Sequence, residues 1–153
     1  MPETEHLARS VALARAAREH GNHPFGALLV TADGRILEAE NTVLTSQDVT
    51  AHAETNLVRS AWAALSPADL ATSTLYTSTE PCAMCSGAIF WAGIGTVVYA
   101  LGSDELDDLV EGTGEFTLAL HAREVLARGG HPTTVLGPFD VPGARAVHEG
   151  FWV

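Results

Sequence analysis

The pattern of apolar and polar residues in the first forty positions predicts a helix followed by a β-hairpin. Across residues 5–20 apolar side chains recur at helical spacing, and Gly21 and Asn22 follow as a stop signal. Residues 26–31 form a continuous apolar run that is typical of a buried strand. Asp33 and Gly34 then predict a tight turn into a second strand over residues 35–40.

The middle of the chain alternates between predicted helices and strands. Residues 41–50 are polar and loop-like, and a helix is expected over residues 51–65, ended by Ser66 and Pro67. A strand at residues 74–78, a helix from Pro81 to Gly93 and a strand at residues 96–100 follow. The order helix, hairpin, helix, strand, helix, strand predicts an α/β fold with a sheet between helices.

The last third of the chain gives a weaker pattern. Residues 104–115 are acidic and predict an exposed loop or short helix, and residues 116–128 have a helical pattern. A strand at residues 133–136 and a short final helix at residues 143–150 are expected. Because no linker divides the sequence, we interpret residues 1–153 as one domain, with residues 103–153 as a variable C-terminal segment.

Composition narrows the classes of function. The chain is 46% hydrophobic and 18% charged, with a formal net charge of −11, so a packed core is expected and a phosphate backbone is disfavoured as partner. A small-molecule substrate fits this charge better. Membrane association is not expected, because no apolar run approaches the roughly 18 residues of a membrane span. The acidic residues 1–6 do not resemble a secretory signal, and a cytoplasmic protein is the expectation.

The two cysteines, Cys82 and Cys85, follow Pro81 at the predicted start of a helix. Side chains three residues apart share one helix face and can bind one ion. Thiolates at a helix N-terminus are also stabilised by its dipole and free N–H groups. The alternatives are a thiol oxidoreductase with a reversible disulfide, or a structural zinc site with a fourth ligand elsewhere.

His52 and Glu54 also lie at a predicted helix start, where side chains two residues apart can converge. His52, Cys82 and Cys85 together supply three ligands, and three protein ligands with an open fourth position is the pattern of catalytic zinc. Such an ion lowers the pKa of bound water to about 7. Glu54, beside the ligands, is the candidate general acid and base, although a solvated helix-start carboxylate is the default for such a position.

The segments that contain these residues resemble a known family. The segments on which the resemblance rests are Pro24-Phe25-Gly26-Ala27, Thr50-Ala51-His52-Ala53-Glu54 and Thr79-Glu80-Pro81-Cys82-Ala83-Met84-Cys85. The combination of H-x-E and P-C-x-x-C is the signature of zinc nucleobase deaminases. The chain resembles the cytidine-deaminase-like superfamily, in the branch of guanine, cytosine and tRNA adenosine deaminases. The resemblance implies a three-layer α/β/α fold with a mixed sheet of about five strands, and one Zn²⁺ per subunit.

The resemblance also implies roles for further residues. Glu54 would move protons, and the expected substrate contacts are Asn41, Ala53, Phe25 and Glu80. Asn41 could instead only end a strand or cap a turn. A second carboxylate is expected from the acidic run, with Asp104, Asp107 and Asp108 as candidates, although such a run is more often a solvated face. Phe151 and Trp152 could form a lid over the site or pack at a dimer interface.

Residues 45–50 indicate which substrate to expect. Their Thr-Ser-x-Asp-x-Thr pattern resembles guanine deaminases, so the expected reaction converts guanine to xanthine and ammonia. The alternatives are deamination of cytosine, of a nucleoside such as cytidine or adenosine, or of tRNA adenosine, and a silent zinc-fold module without activity. The family also implies a homodimer with C-terminal tails that could be exchanged. We expect the apolar helix face around Phe90 and Trp91 to be part of the interface.

Overall fold

The computed structural model describes residues 2–153, so that Met1, the first residue of the acidic start, lies outside the described residues. A long first helix and a hairpin are followed by three helices, and a third strand completes the first half. These elements are α1 (Pro2–Glu19), β1 (Gly26–Val30), β2 (Ile36–Glu40), α2 (Val43–Ser46), α3 (Ala53–Ala64), α4 (Pro67–Ala71) and β3 (Thr74–Thr79).

The second half continues the sheet and ends in short elements. They are α5 (Ala83–Ala92), β4 (Thr96–Leu101), α6 (Ser103–Val110), α7 (Ala122–Leu126), β5 (Thr134–Leu136) and a single 3₁₀ turn at Ala146–His148. None of the helices in the described part of the chain combines the length and apolar character needed to cross a membrane.

The five strands form one mixed sheet in the order β2-β1-β3-β4-β5. β1 is antiparallel to both of its neighbours, whereas β3, β4 and β5 run parallel. Residues on alternate sides of β1, β3 and β4 enter two separate cores, because side chains alternate between sheet faces. One core packs against α3 and α5 and the other against α1, which confirms the predicted three-layer α/β/α fold.

Gly26, in the Pro-Phe-Gly-Ala segment, fixes the approach of α1 to the sheet. A Cβ atom at this position would lie 2.5 Å from the Ala14 nitrogen and 2.6 Å from the Ser10 carbonyl oxygen. Since real Cβ atoms do not approach backbone so closely, only glycine lets α1 pack directly on β1. The helix then covers the face of the sheet that is opposite to α3 and α5.

Three predicted elements need correction. The loop over residues 41–50 contains the short helix α2, whose Leu44 and Thr45 N–H groups donate to the side chain of Asn22 at 3.1 and 3.0 Å. That acceptor is distant in sequence, which is why local pattern did not predict the turn. Ser66 and Pro67 end α3, as expected, but they also begin α4, where the Ser66 hydroxyl accepts from the Asp69 N–H.

The helix predicted over residues 116–128 is wrong in its first half. Residues 116–121 have no helical hydrogen bonding, and α7 covers only Ala122–Leu126. The Ala122 N–H donates to the carboxylate of Glu80 at 3.0 Å, so a contact from another part of the chain fixes where this helix begins. Phe116 and Leu118 are strongly exposed, so the apolar positions before α7 have no core to bury them.

Candidate metal and catalytic site

Two helix N-termini meet on one side of the sheet and bring the predicted ligands together. His52 is the N-cap of α3 and Cys82 is the N-cap of α5, and both have extended backbone conformations. Their side chains therefore lie ahead of the helices, while Cys85 lies in the first turn of α5. Since α3 and α5 pack side by side on the same face of the sheet, the starts of the two helices are neighbours.

The ligand atoms of His52, Cys82 and Cys85 all lie within 4.8 Å of one another. The Nδ1 atom of His52 is 3.6 Å from each of the two sulfur atoms. In a tetrahedral site with Zn–S bonds of about 2.3 Å and a Zn–N bond of about 2.0 Å, nitrogen and sulfur lie about 3.6 Å apart. The donor set and its spacing therefore fit Zn²⁺ without rearrangement of the backbone.

The two thiols of this cluster differ electrostatically. A hydrogen bond from Cys85, with a further contribution from His52, lowers the pKa of Cys82 to about 4. The same hydrogen bond, together with burial, raises the pKa of Cys85 above its ordinary value. The Thr55 hydroxyl lies 3.2 Å from the Cys85 sulfur and is a further polar neighbour. One thiolate is thus stabilised in the cluster, as a metal ligand requires.

Glu54 is buried beside the ligands. Its side chain points into the interior, where the Thr77 hydroxyl lies 2.5 Å from the Oε1 atom. Burial raises the pKa of Glu54 above its ordinary value, although the hydrogen bond to Thr77 opposes that effect. The charges that act on this carboxyl are those of Cys82 and His52. A carboxyl group next to a metal-binding cluster and shielded from solvent has the properties of a general acid and base.

Asn41 lies at the end of β2 with only 1% of its surface exposed. Its N–H donates to the Phe25 carbonyl at 3.0 Å, and its side-chain oxygen accepts from the Val43 N–H at 3.0 Å. Asn41 therefore does cap the turn into α2, which was the alternative role, while its predicted contact with substrate stays a prediction. Ala53, fully buried at the start of α3, also keeps its predicted role as a prediction.

The loop between Asn41 and His52 is held in place by Asn56 of α3. Its side-chain amide donates to the Glu40 carbonyl at 3.0 Å, to the Thr42 hydroxyl at 3.0 Å and to the Ala51 carbonyl at 3.3 Å. The two ends of the loop are thereby joined to the helix that begins at the ligand His52. The segment with the Thr-Ser-x-Asp-x-Thr pattern is thus a fixed part of the site's surroundings.

Most of the polar groups of Glu80 form hydrogen bonds within the chain. Its carboxylate accepts from the N–H groups of Ser103 and Ala122 at 3.2 and 3.0 Å and contacts the ring of His121 at 3.1 Å. Burial favours a higher pKa for Glu80, but these donors outweigh it and the pKa lies below its ordinary value. Its N–H donates to the Leu101 carbonyl at 2.7 Å. The carbonyl oxygen of Glu80 is therefore the group that could contact substrate, and that contact stays a prediction.

The candidate second carboxylates lie on α6. Asp104 is largely exposed and pairs with the Nε2 atom of His121 at 3.4 Å, and Asp108 is also exposed. Within residues 2–153, no carboxylate of α6 is among the groups that shift the pKa of Glu54. A second carboxylate from Asp104, Asp107 or Asp108 therefore stays a prediction.

The C-terminal residues Phe151 and Trp152, here called the aromatic tail, pack beside the start of β1. Their rings contact His23 at centroid distances of 5.8 and 5.7 Å, and Trp152 also lies 6.1 Å from Phe25. Burial lowers the pKa of His23, and the nearby charge of His52 acts in the same direction. The tail is thus adjacent to a residue that is within electrostatic range of the candidate metal ligand.

Two residues that the sequence did not indicate hold the tail in position. Arg18, in the last turn of α1, donates to the carbonyls of Val147 and Glu149 at 2.8 and 2.6 Å, and its guanidinium lies 5.5 Å from the Phe151 ring centre. The buried His148 ring accepts a hydrogen bond from the Trp152 indole at 3.1 Å. No local motif marks such contacts, because they join residues more than one hundred positions apart or depend on the final turn.

A surface cavity of about 490 Å³ lies away from the cluster, between the end of β4 and the C-terminal segment. Its lining includes Leu101, Pro138 and Arg145, and contains neither the three candidate ligands nor Glu54. It is therefore separate from the candidate site.

Comparison with known proteins gives the same family for most of the chain. Residues 2–101 match the cytidine and deoxycytidylate deaminase zinc-binding region. A probable cytosine deaminase of Schizosaccharomyces pombe is 38% identical over 148 residues, which cover 96% of this chain and 90% of that protein. The guanine deaminase of Bacillus subtilis is 46% identical over 95 residues, which cover 61% of each chain.

Among solved structures, the guanine deaminase of Nitrosomonas europaea has the same fold. It superposes with a TM-score of 0.80 at 27% identity, and the match covers 99% of this chain and 85% of that one. The likeness therefore extends through the C-terminal segment as well as the part that contains the ligand cluster.

Proposed function

Because the chain belongs to the cytidine and deoxycytidylate deaminase zinc-binding family, we propose that it is a zinc-dependent hydrolytic deaminase of a free nucleobase. The expected substrate is guanine, with xanthine and ammonia as products. The observation that carries this proposal is the cluster of His52, Cys82 and Cys85 with the buried carboxyl of Glu54 beside it. A thiol oxidoreductase has no use for the imidazole and the carboxyl, and a structural zinc site has no use for the carboxyl.

Zinc, when bound at this cluster, supplies a Lewis acid that makes an attacking water acidic near neutral pH. His52, Cys82 and Cys85 would hold the ion. Glu54 would take one proton from the attacking water, as the oxygen bonds to the ring carbon, and deliver it to the adjacent ring nitrogen. It would then take the second proton from the new hydroxyl group and deliver it to the amino group, which leaves as ammonia when the C–N bond breaks. Its burial excludes competing solvent from that transfer.

Guanine is favoured by the segment that precedes the ligands. Its Thr-Ser-x-Asp-x-Thr pattern is typical of guanine deaminases, and Asn56 fixes both ends of that segment beside the site. The similarity to two guanine deaminases supports the same substrate. The net charge of −11 argues against tRNA, because binding a phosphate backbone depends on arginine and lysine.

Cytosine is the second candidate, and one specific observation favours it. The similarity to the Bacillus subtilis guanine deaminase spans 61% of this chain, whereas the similarity to the probable cytosine deaminase of Schizosaccharomyces pombe spans 96%. The match to the Nitrosomonas europaea guanine deaminase also covers the C-terminal segment, but at 27% identity, compared with 38% for the Schizosaccharomyces pombe protein. If that segment selects the base, the smaller pyrimidine would be the substrate.

For the substrate pocket, we propose that the aromatic tail covers the site and that Phe25 and Asn41 form part of its wall. The support is positional: Trp152 packs against Phe25, the Asn41 N–H is bonded to the Phe25 carbonyl, and Phe25 lies at the start of β1. Residues 103–153 would then act as a substrate lid that is attached to the rest of the domain through Glu80 and Arg18.

We also propose a homodimer. Trp91 is 81% exposed on α5, while its neighbour Phe90 is stacked on His131 inside the subunit at 4.4 Å. Of the two aromatic residues that were expected at the interface, Trp91 therefore remains free to contact a second subunit. Light scattering at micromolar concentration should give the mass of two chains, and Trp91→Glu should reduce it to one.

The proposed activity is tested by ammonia release from a panel of substrates. Zinc-loaded protein is given guanine, adenine, cytosine, cytidine and adenosine in turn, with Glu54→Gln protein as the control for background hydrolysis. Ammonia from guanine is expected. Release from cytosine alone would establish the second candidate, and no release from any of the five would contradict a nucleobase deaminase and favour a silent zinc-fold module.

A further inference from the structure

A buried threonine on the strand next to the site contacts the carboxyl of Glu54. Thr77 lies in the inner strand β3, between β1 and β4, and none of its surface is exposed. Its hydroxyl oxygen is 2.5 Å from Glu54 Oε1 and 3.0 Å from the carbonyl oxygen of Thr79. These two acceptors are the partners of a hydroxyl that would otherwise be buried at a cost in free energy.

The hydroxyl is not needed to build the sheet. Thr77 is paired with Ala27 of β1 and with Tyr99 of β4, so the strand has a neighbour on both sides. Valine has nearly the same shape as threonine and suits an inner strand equally well. What threonine adds here is one O–H group, and that group lies against Glu54.

A hydroxyl has one hydrogen to donate and can also accept. An ionised Glu54 has only acceptor oxygens, so the Thr77 hydrogen must then point to Oε1. This hydrogen bond fixes the position of Oε1 and, with it, the orientation of the whole carboxyl, while the Thr79 carbonyl, 3.0 Å away, is a second neighbour of the hydroxyl.

From this geometry we propose that Thr77 is a positioning residue that holds the Glu54 carboxyl in place by donating a hydrogen bond to its Oε1 atom. The inference rests on the proposed function of Glu54. Thr77 touches neither the substrate nor the metal in this role, and acts only through the carboxyl. Its loss should therefore reduce the rate of the chemical step more than the binding of substrate.

The test compares three variants of the zinc-loaded protein on the base that the parent deaminates. Thr77→Val removes the hydroxyl and should lower kcat on the order of 100-fold, with KM within about threefold of the parent, because a misplaced catalytic group loses that much. Thr77→Ser keeps the hydroxyl and should recover most of the loss. Thr74→Val, the same substitution elsewhere on β3, is the matched control and should leave kcat unchanged.

A second measurement does not depend on activity. Protein labelled with ¹³C at glutamate carboxyls gives a Glu54 signal that is assigned by its loss in Glu54→Gln. That signal should shift in zinc-loaded Thr77→Val and stay near the parent position in Thr77→Ser and Thr74→Val. If the parent releases no ammonia from any base, the proposed function fails, and this signal alone decides whether Thr77 holds Glu54.

Two results would overturn the inference. One is a Thr77→Val protein whose kcat stays within about threefold of the parent, or a Thr77→Ser protein that loses as much as Thr77→Val. The other is a Glu54 carboxyl signal that is the same in Thr77→Val and in the parent. Equal zinc content in all variants shows that the comparison concerns the carboxyl and not the metal.

Discussion

The part of the chain from residue 2 to residue 101 and the C-terminal segment, residues 103–153, are built differently. The first part contains helices of 10, 12 and 18 residues, two short helices of four and five residues, and four strands of five or six residues. It also supplies every candidate ligand of the cluster. The C-terminal segment has one helix of eight residues, one of five and a strand of three. Regular architecture positions the ligands, whereas the segment depends on a few individual contacts.

Three residues supply contacts of this kind. The Glu80 carboxylate accepts from the backbone at the starts of α6 and α7, Arg18 donates to two carbonyls near the end of the chain, and His148 accepts from Trp152. A buried carboxylate that accepts from two N–H groups contributes more to the free energy of unfolding than an arginine at the surface. Substitutions at these three residues should therefore destabilise the C-terminal segment one contact at a time and leave the ligand cluster intact.

The largest effect is expected at the cluster itself. Cys85→Ser removes a buried ligand from the first turn of α5, and both zinc affinity and ammonia release should fall by at least about 100-fold. Metal analysis after dialysis and the ammonia assay measure the two losses. Met84→Ala, at the exposed neighbouring position, is the control and should retain both. A Cys85→Ser protein with stoichiometric zinc and full activity would exclude Cys85 as a ligand.

The next largest effect is expected at the junction of the two parts. Glu80→Ala leaves the N–H groups of Ser103 and Ala122 without their acceptor, which should cost about 4 kcal/mol of unfolding free energy. Urea unfolding measures this loss, and amide exchange should accelerate at α6 and α7 well before it does at β3. The two N–H groups donate to different oxygens, and Glu80→Gln keeps only one of these acceptors, so it should lose about half as much. Equal losses in the two variants would contradict a role of Glu80 as acceptor.

The buried imidazole at the end of the chain makes stability depend on pH. Burial lowers the pKa of His148 to about 4 from an ordinary value of 6.5, and the charges of Arg18 and Arg145 add to that shift. Above pH 6.5 the ring is neutral in both states. As pH falls from about 6.5 to about 4, only the unfolded chain binds a proton there, so unfolding free energy should fall by up to about 3 kcal/mol.

Urea unfolding at several pH values measures this loss, with His148→Gln as the matched variant. Glutamine offers an acceptor to Trp152 without a titratable ring, so the variant should lose less stability over the same pH range. If the parent and His148→Gln lose stability equally between pH 6.5 and pH 4, His148 is not the group responsible.

The smallest effect is expected at Arg18, which contacts the aromatic tail. Arg18→Met removes hydrogen bonds to two partly solvated carbonyls and the contact with the Phe151 ring, for a loss of about 1 kcal/mol. Amide exchange over residues 147–153 should rise, and KM should increase a few-fold if the tail covers the substrate. Arg15→Met, on the same helix, is the control. If Arg15→Met changed stability and amide exchange as much as Arg18→Met, the effect would not be specific to Arg18.

The strength of the local sequence signals explains which parts of the fold and of the site could be predicted. His52 and Glu54 stand at the start of one helix and Cys82 and Cys85 at the start of another, so spacing predicts that each pair converges. That the two pairs meet at one site is what the resemblance to zinc deaminases implies. The strands were foreseeable because side chains that alternate between two cores leave a strong pattern. At these helices and strands, local signals and local structure agree.

Elsewhere the deciding partner is remote. α2 forms because Asn22 accepts from its N–H groups, and α7 begins where Glu80 accepts from Ala122. Neither partner is marked by a pattern in the segment that it shapes. Thr77 has no distinct signal in the sequence, because Ser78 and Thr79 of the same strand are also polar and buried, and its contact with Glu54 requires the packed structure. The signal at Ser66 and Pro67 was present and was interpreted only as an end of α3.

The most direct test of the proposed site is the ammonia release of zinc-loaded Glu54→Gln relative to the parent. Both proteins should contain one zinc per chain, since Glu54 is not a ligand, and the variant should be slower by about 10²–10⁴-fold, because it has lost its general acid and base. A variant that releases ammonia as fast as the parent, with the same zinc content, would contradict the central claim that Glu54 moves the proton at this cluster.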